Sequence, residues 1–284
     1  MSAGAAALGF LNTHTARAAE SRQSRHVWAL SDLHSGRVDD GKDGAEWFRL
    51  ACEEMKTAFP HIAYAMTLGD ISQDGNEEQM VNYIKTRNNS GIRTWYELAG
   101  NHEYQKGKAE SFQKLIRSTD PYSIIDGNIA WFFLSDQKSG VPGELMPETC
   151  DWLERELAIH KDKNIIVCSH QLIKGTTFRS DQPQRQLNPV DRLAEIIAKS
   201  RIDLWLHGHE HHTPYKKEHI SRVGDTTYIN VASMSHAYGT GSSESYVLEF
   251  KPGTTEIIAR RRNHDTRDFK PEFETRIPLR HPVL

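Results

Sequence analysis

Five short apolar runs in this chain end in the same kind of residue, and that recurrence limits the folds open to it. His26–Leu30 (HVWAL) leads into Ser31-Asp32-Leu33-His34, and Ile62–Leu68 (IAYAMTL) into Gly69-Asp70. Ile92–Leu98 (IRTWYEL) leads into Ala99-Gly100-Asn101-His102-Glu103, Asn164–Cys168 (NIIVC) into Ser169-His170, and Asp203–Leu206 into His207-Gly208-His209-Glu210-His211. The length and residue types of these runs predict strands. Between them lie helical windows. Glu46–Phe59 puts Trp47, Phe48, Ala51, Cys52, Met55, Ala58 and Phe59 on one stripe before Pro60 stops it, and Asn76–Lys85, Glu148–His160 and Pro189–Lys199 read as further helices. Strands alternating with helices require an α/β architecture. In such sheets ligands assemble at the carboxyl edge, where all five runs place Asp, Asn or His.

The remainder of the chain is less patterned. Tyr122–Leu134 reads as a hairpin around Asp126-Gly127-Asn128. Beyond His212, Thr226–Ala232, Ser245–Phe250 and Thr255–Arg261 read as successive antiparallel strands. The expected organisation is one domain over residues 25–262 with a polar C-terminal extension at 263–284. Residues 1–24 read as an export-signal remnant or a disordered tail. Ala5–Leu11 is apolar and Ala16-Arg17-Ala18 has a small-x-small cleavage pattern, but no basic residue precedes Arg17. The signal reading places the protein in the periplasm or outside the cell; the tail reading leaves it cytoplasmic.

Composition narrows the chemistry. With 38 acidic and 35 basic residues the charge balance gives no reason to expect a nucleic-acid surface. Cys52, Cys150 and Cys168 are too few and wrongly spaced for a disulfide framework or a zinc knuckle, and no run is long enough for a membrane helix. Histidine is the unusual residue, 15 in all, four of them in WLHGHEHHTP (Trp205–Pro214). Singly, each strand-end group has an ordinary explanation, as a turn or a core histidine. Jointly, imidazoles, carboxylates and an amide with no thiolate suit Mn, Fe, Zn or Co. The candidates Asp32, His34, Asp70, Asn101, His170, His209 and His211 exceed the needs of one ion. Two ions sharing a carboxylate, with a hydroxide between them for in-line attack on a phosphoryl group, is the economical arrangement.

The blocks Asp32/His34, Gly69-Asp70, Gly100-Asn101-His102-Glu103, His170 and Gly208-His209-Glu210-His211 resemble, in order, the signature of the calcineurin-like metallophosphoesterase superfamily. That resemblance implies a four-layer α-β-β-α sandwich with one metal on Asp32, His34 and His211. The second would sit on Asn101, His170 and His209, with Asp70 bridging. It also implies catalytic roles for Asp70 and His102, with Asn101 and His102 on the substrate phosphate and His102 acting as general acid or transition-state stabiliser. Many members read G-D-x-x-D. Here position 73 is Gln and the acid is Asp74, so either Asp74 partners His102 from a shifted place or it caps a helix N-terminus. Gly69-Asp70-Ile71-Ser72-Gln73-Asp74 is similar to the bacterial cyclic-nucleotide phosphodiesterase branch. The tyrosine of purple acid phosphatases does not follow Asp70.

The implied function is hydrolysis of a small-molecule, lipid or nucleotide phosphate ester, diesters favoured. The alternatives are a phosphomonoesterase or protein phosphatase of the same fold, and a catalytically dead binding protein. Further residues are open to two readings. His236 lines the pocket or is an ordinary loop histidine, and Arg179, in the long loop Gly175–Asn188, contacts phosphate or is a surface residue. Arg260-Arg261-Arg262 reads as a solvated face, and His207 and His212 as neighbours of the site rather than ligands.

Overall fold

The computed structural model describes residues 23–105, 109–138, 140–211 and 217–284. The expected signal or tail at 1–22 and His212 lie outside them. Two mixed sheets stack face to face. The first runs in the order Asp268–Phe269, Glu256–Asn263, Glu244–Phe250, Arg25–Leu30, Ile62–Leu68, Trp95–Leu98, with Thr275–Pro278 also on Glu256–Asn263. The second runs Ile220–Val223, Thr226–Asn230, Leu204–His207, Asn164–Ser169, Ile129–Leu134, Tyr122–Asp126.

Strand periodicity divides the apolar residues between layers. In Arg25–Leu30, Val27 and Ala29 point into the core between the sheets, beside Met66, Trp131, Phe133 and Ile166. Trp28 and Leu30 point the other way, onto Phe48, Ala51 and Met55 of helix Gly44–Ala58 and Met80 and Tyr83 of helix Glu77–Asn89. A third core joins the second sheet to helices Pro147–Ile159 and Val190–Lys199 through Phe132, Val167, Trp205, Leu153 and Ile196. Three cores between four layers make this the α-β-β-α sandwich the motifs imply.

The expected strands and helices form with shifted ends. The third strand begins only at Trp95, and the helix expected to end at Lys85 continues to Asn89. Three expectations fail. Thr226–Asn230 is not an antiparallel neighbour of the later strands; it pairs parallel with Leu204–His207 in the other sheet, because two neighbouring hairpins cannot be told from a change of sheet by alternation alone. Residues 263–284 are not an extension: Thr275–Pro278 pairs with Glu256–Ala259, and Ile277, Leu279 and Val283 are buried in the inter-sheet core. Nor is Arg260-Arg261-Arg262 a solvated face. Arg261 is fully buried against Glu244, Arg262 pairs with Glu54, and Arg260 with Glu249 and Glu274. Among the described residues no helix is long and apolar enough to cross a membrane, and the three cysteines are buried free thiols.

Candidate metal centre

The carboxyl ends of the parallel strands from both sheets meet at one edge. Backbone bonds lace the segments that leave them, including Asp32 N–H to Gly69 O (3.2 Å), His34 N–H to Asp70 O (3.0 Å) and Gly208 N–H to His170 O (3.0 Å). Close approach fixes two glycines here. A Cβ on Gly208 would lie 1.9 Å from Ser31 Oγ, and one on Gly100 2.5 Å from Asp70 Oδ1.

Asp32, His34, Asp70 and His211 each direct one donor atom into a common space, all within 4.8 Å of one another. Their proton positions follow from their neighbours. His34 Nδ1 lies 3.0 Å from Gln73 Oε1, and His211 Nδ1 3.4 Å from the Ala237 carbonyl. Both partners are acceptors, so both Nδ1 atoms carry hydrogens, and each ring in its neutral form presents a bare lone pair at Nε2. Those two Nε2 atoms are 2.9 Å apart, and His211 Nε2 is 3.0 Å from Asp32 Oδ1. Lone pairs held together in a buried place repel unless a cation lies among them, so the donor set fits a metal ion. The electrostatics differ between the two rings: at His211 burial opposes a charge, but the Asp32 carboxylate outweighs it and raises the pKa. Burial first, then His211, holds the His34 imidazole well below its usual range, disfavouring the protonated form.

Asp70, His170 and His209 form a second set with the same spacing, and Asp70 belongs to both. His170 Nδ1 donates to Leu68 O (2.7 Å), which turns Nε2 onto Asp70 Oδ2 at 3.0 Å. Burial works against a charge on His170, but the Asp70 carboxylate outweighs it and raises its pKa well above normal. Burial likewise works to raise Asp70, yet His170, His102 and His34 hold its carboxyl well below the ordinary value. Asn101 stands beside this set: its Oδ1 accepts from Gln171 Nε2 at 2.9 Å, and the same amide nitrogen lies 3.4 Å from His209 Nδ1. The two sets and Asn101 bring together all seven residues expected from the sequence, and their chemistry, imidazole and oxygen without thiolate, fits borderline divalent ions.

His102 lies next to both sets; its backbone N–H donates to Asp70 Oδ1 (2.9 Å). The partner seen on its ring is not a carboxylate. Nδ1 donates to the Gln73 carbonyl at 2.7 Å, leaving Nε2 toward the cavity, 3.4 Å from the Tyr238 hydroxyl. Asp74 instead accepts from Gln79 Nε2 through Oδ2 (3.1 Å). Gln73 does double duty: its backbone positions His102 and its side chain positions His34, while its Nε2 donates to Tyr238 (3.2 Å). Glu103 is a buried clamp. One oxygen accepts from the Asp70 and Gly100 N–H groups (2.9 and 2.8 Å), the other from the Ser72 N–H and hydroxyl (3.0 and 3.1 Å). Burial and the Asp70 charge push its pKa up to about 8, against the pull of the Ser72 and Gly100 bonds.

A cavity of about 480 Å³ opens over the two sets and is lined by Asp70, His102, His209 and His211, with Phe178, Arg179, Arg185 and Tyr238 around them. The loop Gly175–Asn188 therefore does overhang the site, and Arg179 lies in it. His236 is not among the lining residues. It stacks on Trp47 (3.8 Å between ring centroids) with its nitrogens 2.7 Å from Asp40 and 3.1 Å from Asp265. His207 is fully buried, 3.1 Å from both Thr177 Oγ1 and Asn230 Nδ2, a support for the loop rather than a ligand. Sequence reasoning missed Gln73, Gln171, Arg185 and Tyr238. The sole hint was Gln73, standing where an acid was expected.

The family model for the calcineurin-like phosphoesterases matches residues 25–213, and the chain belongs to that family. No curated protein matches it. Solved structures of similar fold include GAP50, the anchor in the inner membrane complex of Plasmodium, at 11% identity and TM-score 0.63, covering 91% of this chain and 90% of that one. Another is the purple acid phosphatase PPD1 from yellow lupin (Lupinus luteus) seeds, at 12% identity and TM-score 0.60, covering 87% of this chain and 53% of that one. At such identities the likeness is one of fold.

Proposed function

We propose that this protein is a two-metal phosphoesterase that hydrolyses a phosphate ester, with diesters favoured. The observation that carries the reading is the pair of donor sets sharing Asp70, one of them with two histidine lone pairs 2.9 Å apart. Asp32, His34, Asp70 and His211 would hold one ion, and Asp70, Asn101, His170 and His209 the other. When bound, such ions supply Lewis-acid activation of water and of the phosphoryl group.

The chain's own residues do the rest. His102, fixed through Nδ1 on the Gln73 carbonyl, offers Nε2 to the leaving oxygen as general acid, or to the phosphoryl oxygens as a stabilising donor. Asn101 and His102 orient the phosphate, and Gln73 and Gln171 hold the groups that touch it. The preference for diesters rests on room: the cavity is of a size that takes whole small molecules, with the Phe178 and Tyr238 rings among its walls for a second ester group. GAP50 is described as an anchor, so a non-catalytic use of this fold is the competing reading. The complete donor set here favours the enzyme.

The test is metal content and turnover with added Mn. The reading expects about two ions per chain and faster cleavage of bis-p-nitrophenyl phosphate than of p-nitrophenyl phosphate, with Asp70→Asn losing both activities and metal. Undiminished turnover in Asp70→Asn would sink the mechanism, a monoester preference would overturn the diester assignment, and a protein that takes up no metal would favour the anchor.

A further inference from the structure

Arg179 and Arg185 form a built feature of the cavity wall that the metal centre does not use. Both converge on Glu210, the residue between the candidate ligands His209 and His211. Arg179 Nη1 lies 3.0 Å from Glu210 Oε1 and Arg185 Nη1 2.7 Å from Oε2. The Glu210 side chain is almost wholly buried, 2% exposed, whereas Arg179 keeps 46% and Arg185 25% of their side-chain surface open. One carboxylate against two guanidinium groups leaves a surplus positive charge at the rim. Each arginine also retains its Nη2 donors outside any hydrogen bond among the described residues.

The loop that carries them is braced. Thr177 Oγ1 meets His207 Nε2 (3.1 Å), Gln186 Nε2 donates to Ser180 O (2.7 Å), and Leu172 N–H donates to Arg185 O (3.0 Å). Arg179 itself has φ +59°, a conformation that costs a non-glycine residue free energy and is held here by its surroundings. A solvated arginine needs neither a strained backbone nor a buried anchor. The cavity, about 480 Å³, has space for more than one phosphoryl group.

We infer that Arg179 and Arg185 form a second anion subsite, so that the substrate is a phosphate ester carrying a further anionic group, phosphate or carboxylate, beyond the one hydrolysed. This rests on the phosphoesterase reading for the position of the reacting group. Guanidinium recognises such a group through paired N–H donors, and Glu210 keeps the two arginines apart from each other and aimed at the cavity. They are specificity-determining residues and touch no reacting atom.

The experiment is calorimetric binding of orthophosphate and of pyrophosphate to the Mn-loaded full chain at fixed free Mn, for the native protein, Arg179→Gln/Arg185→Gln and Arg185→Lys. The native protein should bind pyrophosphate at least about tenfold more tightly than orthophosphate. The double variant should lose that preference, and Arg185→Lys should keep part of it. Binding is read without turnover, so a protein inactive on every ester but showing this pattern would defeat the phosphoesterase reading and leave the subsite standing. Equal affinity for the two anions in the native protein would overturn the subsite. So would a preference that survives in the double variant, or a double variant in which both anions weaken by the same factor, the mark of a loop clamp.

Discussion

Replacing Gln73 with Ala should weaken one metal site and spare the other. The Gln73 side chain accepts the His34 Nδ1 hydrogen at 3.0 Å and makes no hydrogen bond to Asp70, His170 or His209. That bond selects the tautomer in which His34 Nε2 is bare. Without it the two tautomers approach equal energy and the ring loses its anchor. One such hydrogen bond contributes about 1 kcal/mol net, worth roughly a factor of five. Outer partners of metal-ligating histidines commonly cost 10–100-fold on removal. Because the Gln73 carbonyl, which holds His102, survives the substitution, the expected loss lies near the low end, about tenfold in affinity at one site. Equilibrium dialysis with Mn should turn two similar binding steps into one retained and one weakened, and the coupled-pair signal in electron paramagnetic resonance should fade at limiting Mn. Excess Mn should restore most of the turnover. Equal weakening at both sites, or none, would refute the assignment of the Gln73 side chain to the His34 site rather than to the other.

Three further outcomes follow from the same geometry. Glu103→Gln turns an acceptor of four hydrogen bonds into a group with one acceptor oxygen and an amide facing other donors. With the amide turned to the Ser72 side, where the hydroxyl can accept, about one buried N–H is left unbonded at a cost of roughly 1–3 kcal/mol. Above about pH 8, where the Glu103 carboxyl is ionised, urea unfolding should therefore shift to lower concentration; a midpoint equal to wild type would contradict the clamp. Glu54 titrates outside the site. Burial works to raise its pKa, but the bonds from His264 and Arg262 outweigh that and place it below the ordinary 4.5. Its stabilising contribution is therefore complete above about 4.5 and lost as pH falls through the lowered folded-state value. The stability gap between wild type and Glu54→Gln should narrow on acidification in that window, and a gap independent of pH would refute it. Chelation should lower the melting temperature: each site saturated at about 100 times its Kd contributes roughly 2.7 kcal/mol. An unchanged melting temperature after ethylenediaminetetraacetic acid treatment would mean that the folded protein holds no ion.

The strand ends were legible because strands and their exits are local. His26–Leu30, Ile62–Leu68 and Asn164–Cys168 carry their own periodicity, and the Asp, Asn or His after each follows within a few residues. Sheet membership was not local. Whether Thr226–Asn230 joins Leu204–His207 or Glu244–Phe250 depends on which face finds a partner across the core. The supporting groups were hidden for the same reason. Tyr238 is 136 residues from His102 and Gln171 is 70 from Asn101, and an uncharged amide or phenol on a loop carries no signature of its own. The arginine run misled because charge alone says solvent, whereas Glu244 and Glu54 make burial tolerable for Arg261 and Arg262.

Backbone conformation joins the site's chemistry to its stability. Of the seven candidate ligands, five have left-handed backbone without being glycine: Asp32 (φ +56°), His34 (+50°), Asp70 (+50°), His209 (+69°) and His211 (+43°). In an extended strand, residues two apart share a face at a spacing of about 6.6 Å. The left-handed turns at these positions instead bring Asp32 and His34 into one donor set and send His209 and His211 to different sets that share Asp70. At about 1–2 kcal/mol each, the five together cost roughly 5–10 kcal/mol, comparable with the whole stability of an ordinary domain, about 5–15 kcal/mol. The crossed bonds from Asp32 to Gly69, His34 to Asp70 and Gly208 to His170 hold that strain in place. Opposed histidine lone pairs and buried carboxylates add an electrostatic cost of the same sign. Cations among the donors would offset the electrostatic cost, whereas the backbone cost is carried by the crossed bonds and the packing around them. Strain and repulsion gathered at the same few residues fit a fold organised around bound cations, so the donor set, rather than any property of the sheets, is what the proposed function rests on.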